Sequence, residues 1–133
     1  MKAVEINQTG APEVINLKDI SLEKPNSDEV TIEQKAIGLN YIDTYHRSGL
    51  YPLKLPSGLG LEGAGIIIEV GSNVTNFKAG DKVAYAAIPL GSYSTHRNFP
   101  AAKLVKIPNG VDFDVAATLM TKGLTTNYLI CKT

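Results

Sequence analysis

Polar and apolar residues alternate along residues 30–36, and this alternation restricts the fold more than any other part of the chain. Val30, Ile32 and Ala36 share one face of an extended segment, and the polar side chains share the other. A period of two is typical of a strand with one buried face. Six further segments predict strands, separated by turns that contain glycine, proline or asparagine: residues 2–6, 14–20, 64–70, 82–87, 93–99 and 103–107. We therefore expect a mainly β fold, either a barrel or a partly open sheet.

Two segments depart from this pattern and predict helices. The first is residues 40–48. In the second, residues 112–131, apolar positions recur every three or four residues from Phe113, and Asp112 stands where an N-cap is expected. Gly123 and several β-branched threonines weaken the helical pattern. We therefore expect two short helices that meet near residues 121–123.

A glycine-rich stretch at residues 58–63 matches the GxGxxG pattern of dinucleotide-binding sites. That motif functions only where a strand precedes it and a helix follows it, so that the helix N-terminus meets the pyrophosphate. Here Pro52 and Pro56 interrupt the preceding segment, and the following residues 65–71 are short and β-branched. We therefore interpret this stretch as a glycine-rich entry into a strand.

Charge and cysteine content exclude several classes of function. The chain has 133 residues, with 13 Lys and Arg against 13 Asp and Glu, so its formal net charge is zero. Proteins that bind nucleic acid or a membrane surface through basic patches need an excess of positive charge, so we expect neither partner. No apolar run approaches the roughly 20 residues that span a bilayer. A single cysteine, Cys131, forms no internal disulfide, and we expect a cytoplasmic protein.

Four motifs in a fixed order resemble a known family. They are residues 36–52 (AIGLNYIDTYHRSGLYP), 56–65 (PSGLGLEGAG), 70–83 (beginning VG and ending GDKV) and 122–125 (KGLT). This series resembles the zinc-independent NADPH:quinone oxidoreductases, the zeta-crystallin-like enzymes of the medium-chain dehydrogenase/reductase superfamily. The resemblance extends over the whole chain.

The resemblance implies an architecture. Family members begin with a GroES-like, partly open β-barrel with short helices, and helices then lead into a Rossmann domain that carries the dinucleotide fingerprint. We expect residues 1–111 to form the GroES-like domain and residues 112–133 to form a helical segment leading to a nucleotide-binding domain that this sequence lacks. The chain is then an isolated N-terminal domain or the product of a truncated or split gene. Its apolar C-terminal helix is expected to promote self-association.

The same comparison predicts that the chain holds no metal. Zinc-dependent relatives have a cysteine at the position of Asn40 and a histidine at the position of Leu61, and neither residue here is a good zinc ligand. His46 and His96 are the only histidines and have no cysteine or paired carboxylates near them in sequence. A pairing of Arg47 with Glu62 is one option for those two charges.

Six residues between positions 40 and 51 supply amide, carboxylate, guanidinium and phenol groups: Asn40, Tyr41, Asp43, Tyr45, Arg47 and Tyr51. Three of the six tyrosines fall in this segment, which indicates a surface for a flat ring. By resemblance, Asn40 and the segment Tyr41, Ile42, Asp43, Thr44 and Tyr45 line the nicotinamide end of the cofactor. Thr125 contacts the nicotinamide amide, and Tyr45 and Tyr51 face the quinone. For Asp43, acceptance of backbone N–H bonds at a helix start is an equal alternative.

The predicted function is hydride transfer from NADPH to a quinone without a metal, with Asn40, Tyr45 and Tyr51 as the catalytic-site residues. The fragment alone is expected to be inactive, because its partner is the missing Rossmann domain, in cis or as a separate chain. Two alternatives stay open: a non-catalytic GroES-like binding or assembly module (or a split-gene relic), and an enoyl reductase of the same superfamily.

Overall fold

The computed structural model describes residues 1–131, which are mainly β. The strands are β1 (Lys2–Ile6), β2 (Asn16–Asp19), β3 (Glu29–Gly38), β4 (Ser57–Gly58), β5 (Glu62–Val70), β6 (Lys82–Ala86), β7 (His96–Pro100) and β8 (Val105–Lys106). The helices are α1 (Tyr41–Ser48) and α2 (Phe113–Cys131), with 3-10 turns at Pro12–Val14 and Ala101–Lys103. No helix in the described part of the chain is long and apolar enough to cross a membrane.

The strands form two antiparallel sheets that meet along one segment. Strand order is β2-β1-β4 in the smaller sheet and β7-β3-β5-β6-β8 in the larger one. The segment before β7 joins them, because Val4 N–H donates to the Tyr93 carbonyl and Thr95 N–H donates to the Lys2 carbonyl, each at 2.8 Å. The described strands do not close into a barrel. The expected mainly β, partly open arrangement is therefore confirmed.

The main core lies on one face of the larger sheet. Val30 and Ile32 on β3 are fully buried there, as the alternating pattern predicts, and Ile67 on β5 is buried beside them. Ala36, predicted on the same face, packs on the opposite face, because the register of β3 shifts between Gln34 and Ala36. The rings of Tyr85 and Phe99 stack beside them with centroids 4.3 Å apart. Each large apolar side chain buried in this way contributes about 1.5–3 kcal/mol.

The first half of α2 packs on the opposite face of the same sheet. Ala116 and Ala117 are buried there against Ala64 and Ala84. Small side chains let helix and sheet approach closely, and Gly38 is needed for this approach because a Cβ at that position would collide with the Ala117 carbonyl oxygen. After Thr121 nearly every residue of α2 is exposed.

The structure confirms some sequence predictions and corrects others. The bounds predicted for β1 are those observed. The predicted strands 14–20, 93–99 and 103–107 are longer than β2, β7 and β8, because 3-10 turns and an isolated bridge at Ser94 occupy their ends. The short β4 was not predicted. The expectation of two helices near residues 121–123 is wrong, since α2 is continuous through Gly123. Residues 132 and 133 of the predicted helical segment lie outside the described residues.

The glycine-rich stretch is an entry into a strand, as predicted. Gly60 has a φ of +91°, and the chain then continues as β5 and not as a helix. A side chain at Gly60 would also collide with the Ser92 hydroxyl. The stretch therefore lacks the helix N-terminus that a pyrophosphate site requires.

Candidate functional site

Helix α1 starts at a polar capping arrangement that defines one side of the candidate site. Asn40 is extended (φ −127°, ψ 149°), and its backbone N–H donates to Asp43 Oδ2 at 3.0 Å. This bond satisfies an N–H at the helix start and places a carboxylate near the positive end of the helix dipole. The helix ends at Gly49, whose φ of +86° is the left-handed conformation common after helices. The structural alternative for Asp43, acceptance of a backbone N–H, is therefore observed.

The Asn40 side chain belongs to a polar cluster around the buried Glu62, the Glu62 cluster, formed by Asn40, Glu62, Thr121 and Lys122. Glu62 has no solvent exposure. Its Oε2 accepts a bond from Asn40 Nδ2 at 2.7 Å, and its Oε1 accepts one from the Thr121 backbone N–H, also at 2.7 Å. Lys122 Nζ donates to Asn40 Oδ1 at 3.0 Å and lies 3.8 Å from Glu62 Oε2. The cluster therefore joins the start of α1, the start of β5 and the middle of α2.

Asp43 is held from a second direction by Tyr93. The Tyr93 hydroxyl donates to Asp43 Oδ2 at 2.6 Å, and the Asp43 side chain is almost fully buried. Burial raises the pKa of the Tyr93 phenol, and the hydrogen bond to the Asp43 carboxylate and its charge raise that pKa further. Since Tyr93 lies in the segment that joins the two sheets, this bond fixes α1 to the β framework.

An aromatic cluster lies along α1 and the chain that follows it. The rings of Tyr41 and Tyr45 meet edge to face with centroids 5.3 Å apart, and the Tyr45 and Tyr51 rings are also 5.3 Å apart. His46 packs on Tyr51 at 5.8 Å. Tyr41 is 76% exposed and Tyr51 44% exposed, so the cluster presents ring surface to solvent. The structure thus brings together the three tyrosines that the sequence singled out.

The other predicted site residues are Ile42 and Thr44 on α1 and Thr125 on α2, and they lie outside the two clusters. Thr125 lies one turn beyond Thr121 and its hydroxyl donates to the Thr121 carbonyl at 2.7 Å, while the Thr44 hydroxyl donates to the Tyr41 carbonyl. Ile42 is partly buried on α1. Arg47 Nε donates to the Gly10 carbonyl at 3.2 Å. The suggested pairing of Arg47 with Glu62 is therefore wrong, because Glu62 is bound by Asn40, Thr121 and Lys122.

Sequence reasoning did not assign Lys122, Thr121 or Tyr93 to the site. Lys122 stands in the KGLT motif, which carried the resemblance without giving the lysine a role. The contacts of Glu62 with Asn40 and Thr121 join residues 22 and 59 positions apart, and no spacing rule predicts such pairs. Among residues 1–131, no group of three or more His, Cys, Asp or Glu side chains is arranged to hold a metal ion.

Two joined antiparallel sheets, with a helix laid across the larger one and a polar-aromatic surface at the start of α1, define a GroES-like β domain. The family model for the alcohol dehydrogenase GroES-like domain matches residues 26–109, and the chain belongs to this family.

Relatives with assigned activities agree with the resemblance to quinone oxidoreductases. A quinone oxidoreductase of Pseudomonas aeruginosa is 53% identical over 133 residues, covering 99% of this chain and 41% of the relative. The crystal structure of Escherichia coli quinone oxidoreductase complexed with NADPH has a TM-score of 0.96 at 47% identity, covering 99% of this chain and 41% of that one. A crystal structure of the CurK enoyl reductase has a TM-score of 0.84 at 26% identity, covering 96% and 41%. The chain thus spans about 41% of the length of the relatives it matches.

Proposed function

We propose that this chain forms the wall of an NADPH-dependent quinone oxidoreductase against which the nicotinamide and the quinone bind. One observation carries the proposal: the exposed aromatic cluster and the Glu62 cluster adjoin at the start of α1. The 53% identity to a quinone oxidoreductase supports the same activity. The proposed division follows the sequence prediction, with residues 1–111 as the GroES-like domain and residues 112–133 leading to a nucleotide-binding domain, in cis or as a separate chain.

The donor set fits the nicotinamide end of NADPH. Asn40 offers an amide, Lys122 an ammonium group and Thr125 an exposed hydroxyl, and these match the hydrogen-bonding needs of a carboxamide. The buried Thr121 hydroxyl oxygen has no partner among the described residues, which adds a polar atom at the same place. The glycine-rich stretch does not fit the pyrophosphate end. NADPH would supply the hydride when bound, and Asn40, Tyr41, Ile42, Asp43, Thr44, Tyr45 and Thr125 would form its binding surface.

The tyrosine rings fit the acceptor. Tyr45 and Tyr51 would hold a flat quinone by ring contacts, which are worth about 0.5–1.5 kcal/mol each beyond the area they bury. Their hydroxyls would orient the quinone oxygens by hydrogen bonds. Hydride transfer to an electron-poor quinone requires position and orientation from the protein more than covalent chemistry. On this proposal the protein is cytoplasmic, and the exposed half of α2 promotes self-association of the isolated chain.

The test compares the 133-residue chain with a hybrid in which the remainder of the Pseudomonas aeruginosa enzyme follows it. We expect the chain alone to show no saturable oxidation of NADPH by benzoquinone, whereas the hybrid does. In the hybrid, Tyr51→Leu should raise KM for the quinone by about tenfold, the equivalent of one lost ring contact. Leu17→Ala, an exposed apolar change on β2, is the control and should leave KM unchanged.

Three results would contradict the proposal. Saturable turnover by the chain alone would mean that the cofactor site lies elsewhere. A folded hybrid that binds NADPH and reduces enoyl thioesters but no quinone would favour the enoyl reductase, which the likeness to CurK supports. A folded hybrid that reduces neither substrate would favour a non-catalytic module.

A further inference from the structure

The Glu62 cluster has a fixed pattern of donors and acceptors. An ionised carboxylate only accepts hydrogen bonds, and both Glu62 oxygens are occupied, one by Asn40 Nδ2 and one by the Thr121 backbone N–H. Glu62 is fully buried, so solvent provides no replacement for either donor. The carboxylate therefore requires that the nitrogen end of the Asn40 amide face it.

Lys122 imposes the same orientation from the other side. Its ammonium group only donates, and Nζ is 3.0 Å from Asn40 Oδ1 and 3.2 Å from the Leu39 carbonyl. Turning the Asn40 amide over would place its oxygen against the carboxylate and its nitrogen against the ammonium group. Both contacts would then be repulsive. The choice between the two amide orientations is therefore set jointly by Glu62 and Lys122.

We infer that Glu62 is a positioning residue, which together with Lys122 fixes the orientation of the Asn40 amide at the proposed cofactor surface; this role rests on the proposed function. Asn40 is only 8% exposed, so water competes little with Glu62 and Lys122 for the two ends of its amide. Glu62 also binds the helix N–H one turn before Thr125. The Glu62 carboxylate thus helps to position two predicted cofactor contacts: Asn40 directly, and Thr125 through the helix turn that starts at Thr121.

Glu62→Gln changes the pattern in a defined way. Glutamine has one accepting oxygen and one donating NH2 group. The Thr121 backbone N–H cannot turn over, so the glutamine oxygen must accept from it and the glutamine NH2 must face Asn40. The Asn40 amide then has to reverse, which brings its NH2 group against the ammonium group of Lys122. Replacing Lys122 with methionine removes that conflict.

The first readout is spectroscopic and does not depend on activity. In isotope-labelled chain, we expect one Asn40 side-chain NH2 proton to be shifted downfield and slow to exchange with water, because it is bonded to a buried carboxylate. Glu62→Gln should abolish this signature while the Thr121 amide stays protected. Glu69→Gln, at an exposed position on the same strand, is the matched control and should leave it intact. An unchanged Asn40 signal in folded Glu62→Gln protein would overturn the inference.

If Glu62→Gln does not fold, Lys122→Met provides a second test. The Lys122 side chain is half exposed, so its replacement should leave the protein folded. Glu62 alone should then still hold the amide, so the downfield Asn40 proton should persist. Its loss would overturn the role of Glu62. Lys106→Met is the control, because that lysine is equally exposed and also pairs with a carboxylate, that of Asp81.

The second readout is kinetic and uses the hybrid enzyme described above. We expect Glu62→Gln to raise KM for NADPH by about tenfold, as for one lost hydrogen bond to a polar group. Lys122→Met alone should also raise KM for NADPH, because it removes a proposed donor to the carboxamide. In the double variant the total loss should be smaller than the sum of the two single losses, because the donor–donor conflict disappears. If Glu62 and Lys122 acted on the cofactor site independently of each other, the two losses would add. Additive losses would overturn the inference. If instead the Asn40 signals behave as expected but the hybrid does not reduce quinone, the proposed function is wrong and the positioning of Asn40 stands.

Discussion

The two halves of α2 differ in what stabilises them. Residues 113–121 lie on the larger sheet, with Ala116 and Ala117 buried and the Thr121 N–H bound to Glu62. Residues 122–131 are almost all exposed, including Leu124, Tyr128 and Ile130, each more than 60% exposed. Helix stability in proteins comes mostly from packing of an apolar face and less from intrinsic propensity. One continuous helix thus contains a half anchored by the fold and a half supported mainly by its own sequence.

Gly38→Ala is expected to disrupt the anchored half and to have the largest effect. The added Cβ would collide with the Ala117 carbonyl and with the Glu62 carboxylate, and neither group can move freely. We expect a loss of about 3 kcal/mol in the free energy of unfolding. Chemical denaturation measures this loss, and faster amide exchange should appear in residues 113–121. Wild-type stability in this variant would show that α2 does not depend on the close approach.

A second contrast compares a buried with an exposed side-chain hydrogen bond. Tyr93→Phe removes the phenol bonded to buried Asp43, which should cost about 1–3 kcal/mol because the carboxylate loses a donor. Thr125→Val removes an exposed hydroxyl bond within α2 and should change stability by less than about 0.5 kcal/mol. Equal losses in the two variants would mean that burial does not decide the strength of these bonds.

The Tyr93 contact also predicts a pH dependence. The pKa of Tyr93 is raised in the folded protein above the ordinary phenol value of 10.0, first by burial and then by Asp43. Above pH 10 the unfolded chain releases the phenol proton before the folded one, so stability falls as pH rises toward the folded pKa. The Tm of the wild type should therefore decline more steeply than that of Tyr93→Phe above pH 10. Parallel curves would contradict this assignment.

Gly123→Ala is expected to strengthen the exposed half. The new Cβ meets only the side chain of Leu119 at 3.0 Å, and Leu119 is exposed and free to shift. Removing a helix glycine should add up to about 1 kcal/mol. Circular dichroism should show increased helicity, and amide exchange should slow in residues 122–131. A decrease in stability would show that Leu119 is held in place.

Leu124→Lys is expected to have the smallest effect on stability. Leu124 is 62% exposed, so its replacement by a good helix former should change the free energy of unfolding by less than about 0.5 kcal/mol. Sedimentation of the same variant tests the proposed self-association, which should weaken. A loss above 1 kcal/mol would mean that the second half of α2 is packed in the isolated chain.

Local patterns predicted most of the strands and the polar-aromatic segment. The bounds of β1 match the predicted residues 2–6, and the core positions of β3 follow from the alternation that places Val30 and Ile32 inward. The aromatic cluster was predictable because its tyrosines stand four and six residues apart on or beside one helix. The continuity of α2 through Gly123 was not, because one helix glycine costs only about 1 kcal/mol and no local pattern shows that Thr121 and Lys122, just before it, are bound by Glu62 and Asn40.

The sequence by itself determined which segments are extended, which are helical and where the polar and aromatic groups are concentrated, because these depend on neighbours a few positions away. Only the tertiary structure decided which of those groups meet. Glu62 lacks a partner in sequence, yet folding places Asn40 and the Thr121 N–H against its two oxygens. Tyr93 reaches Asp43 across 50 positions in the same way. Burial then makes these contacts specific, because a charged or polar group removed from water must find donors and acceptors of the correct kind.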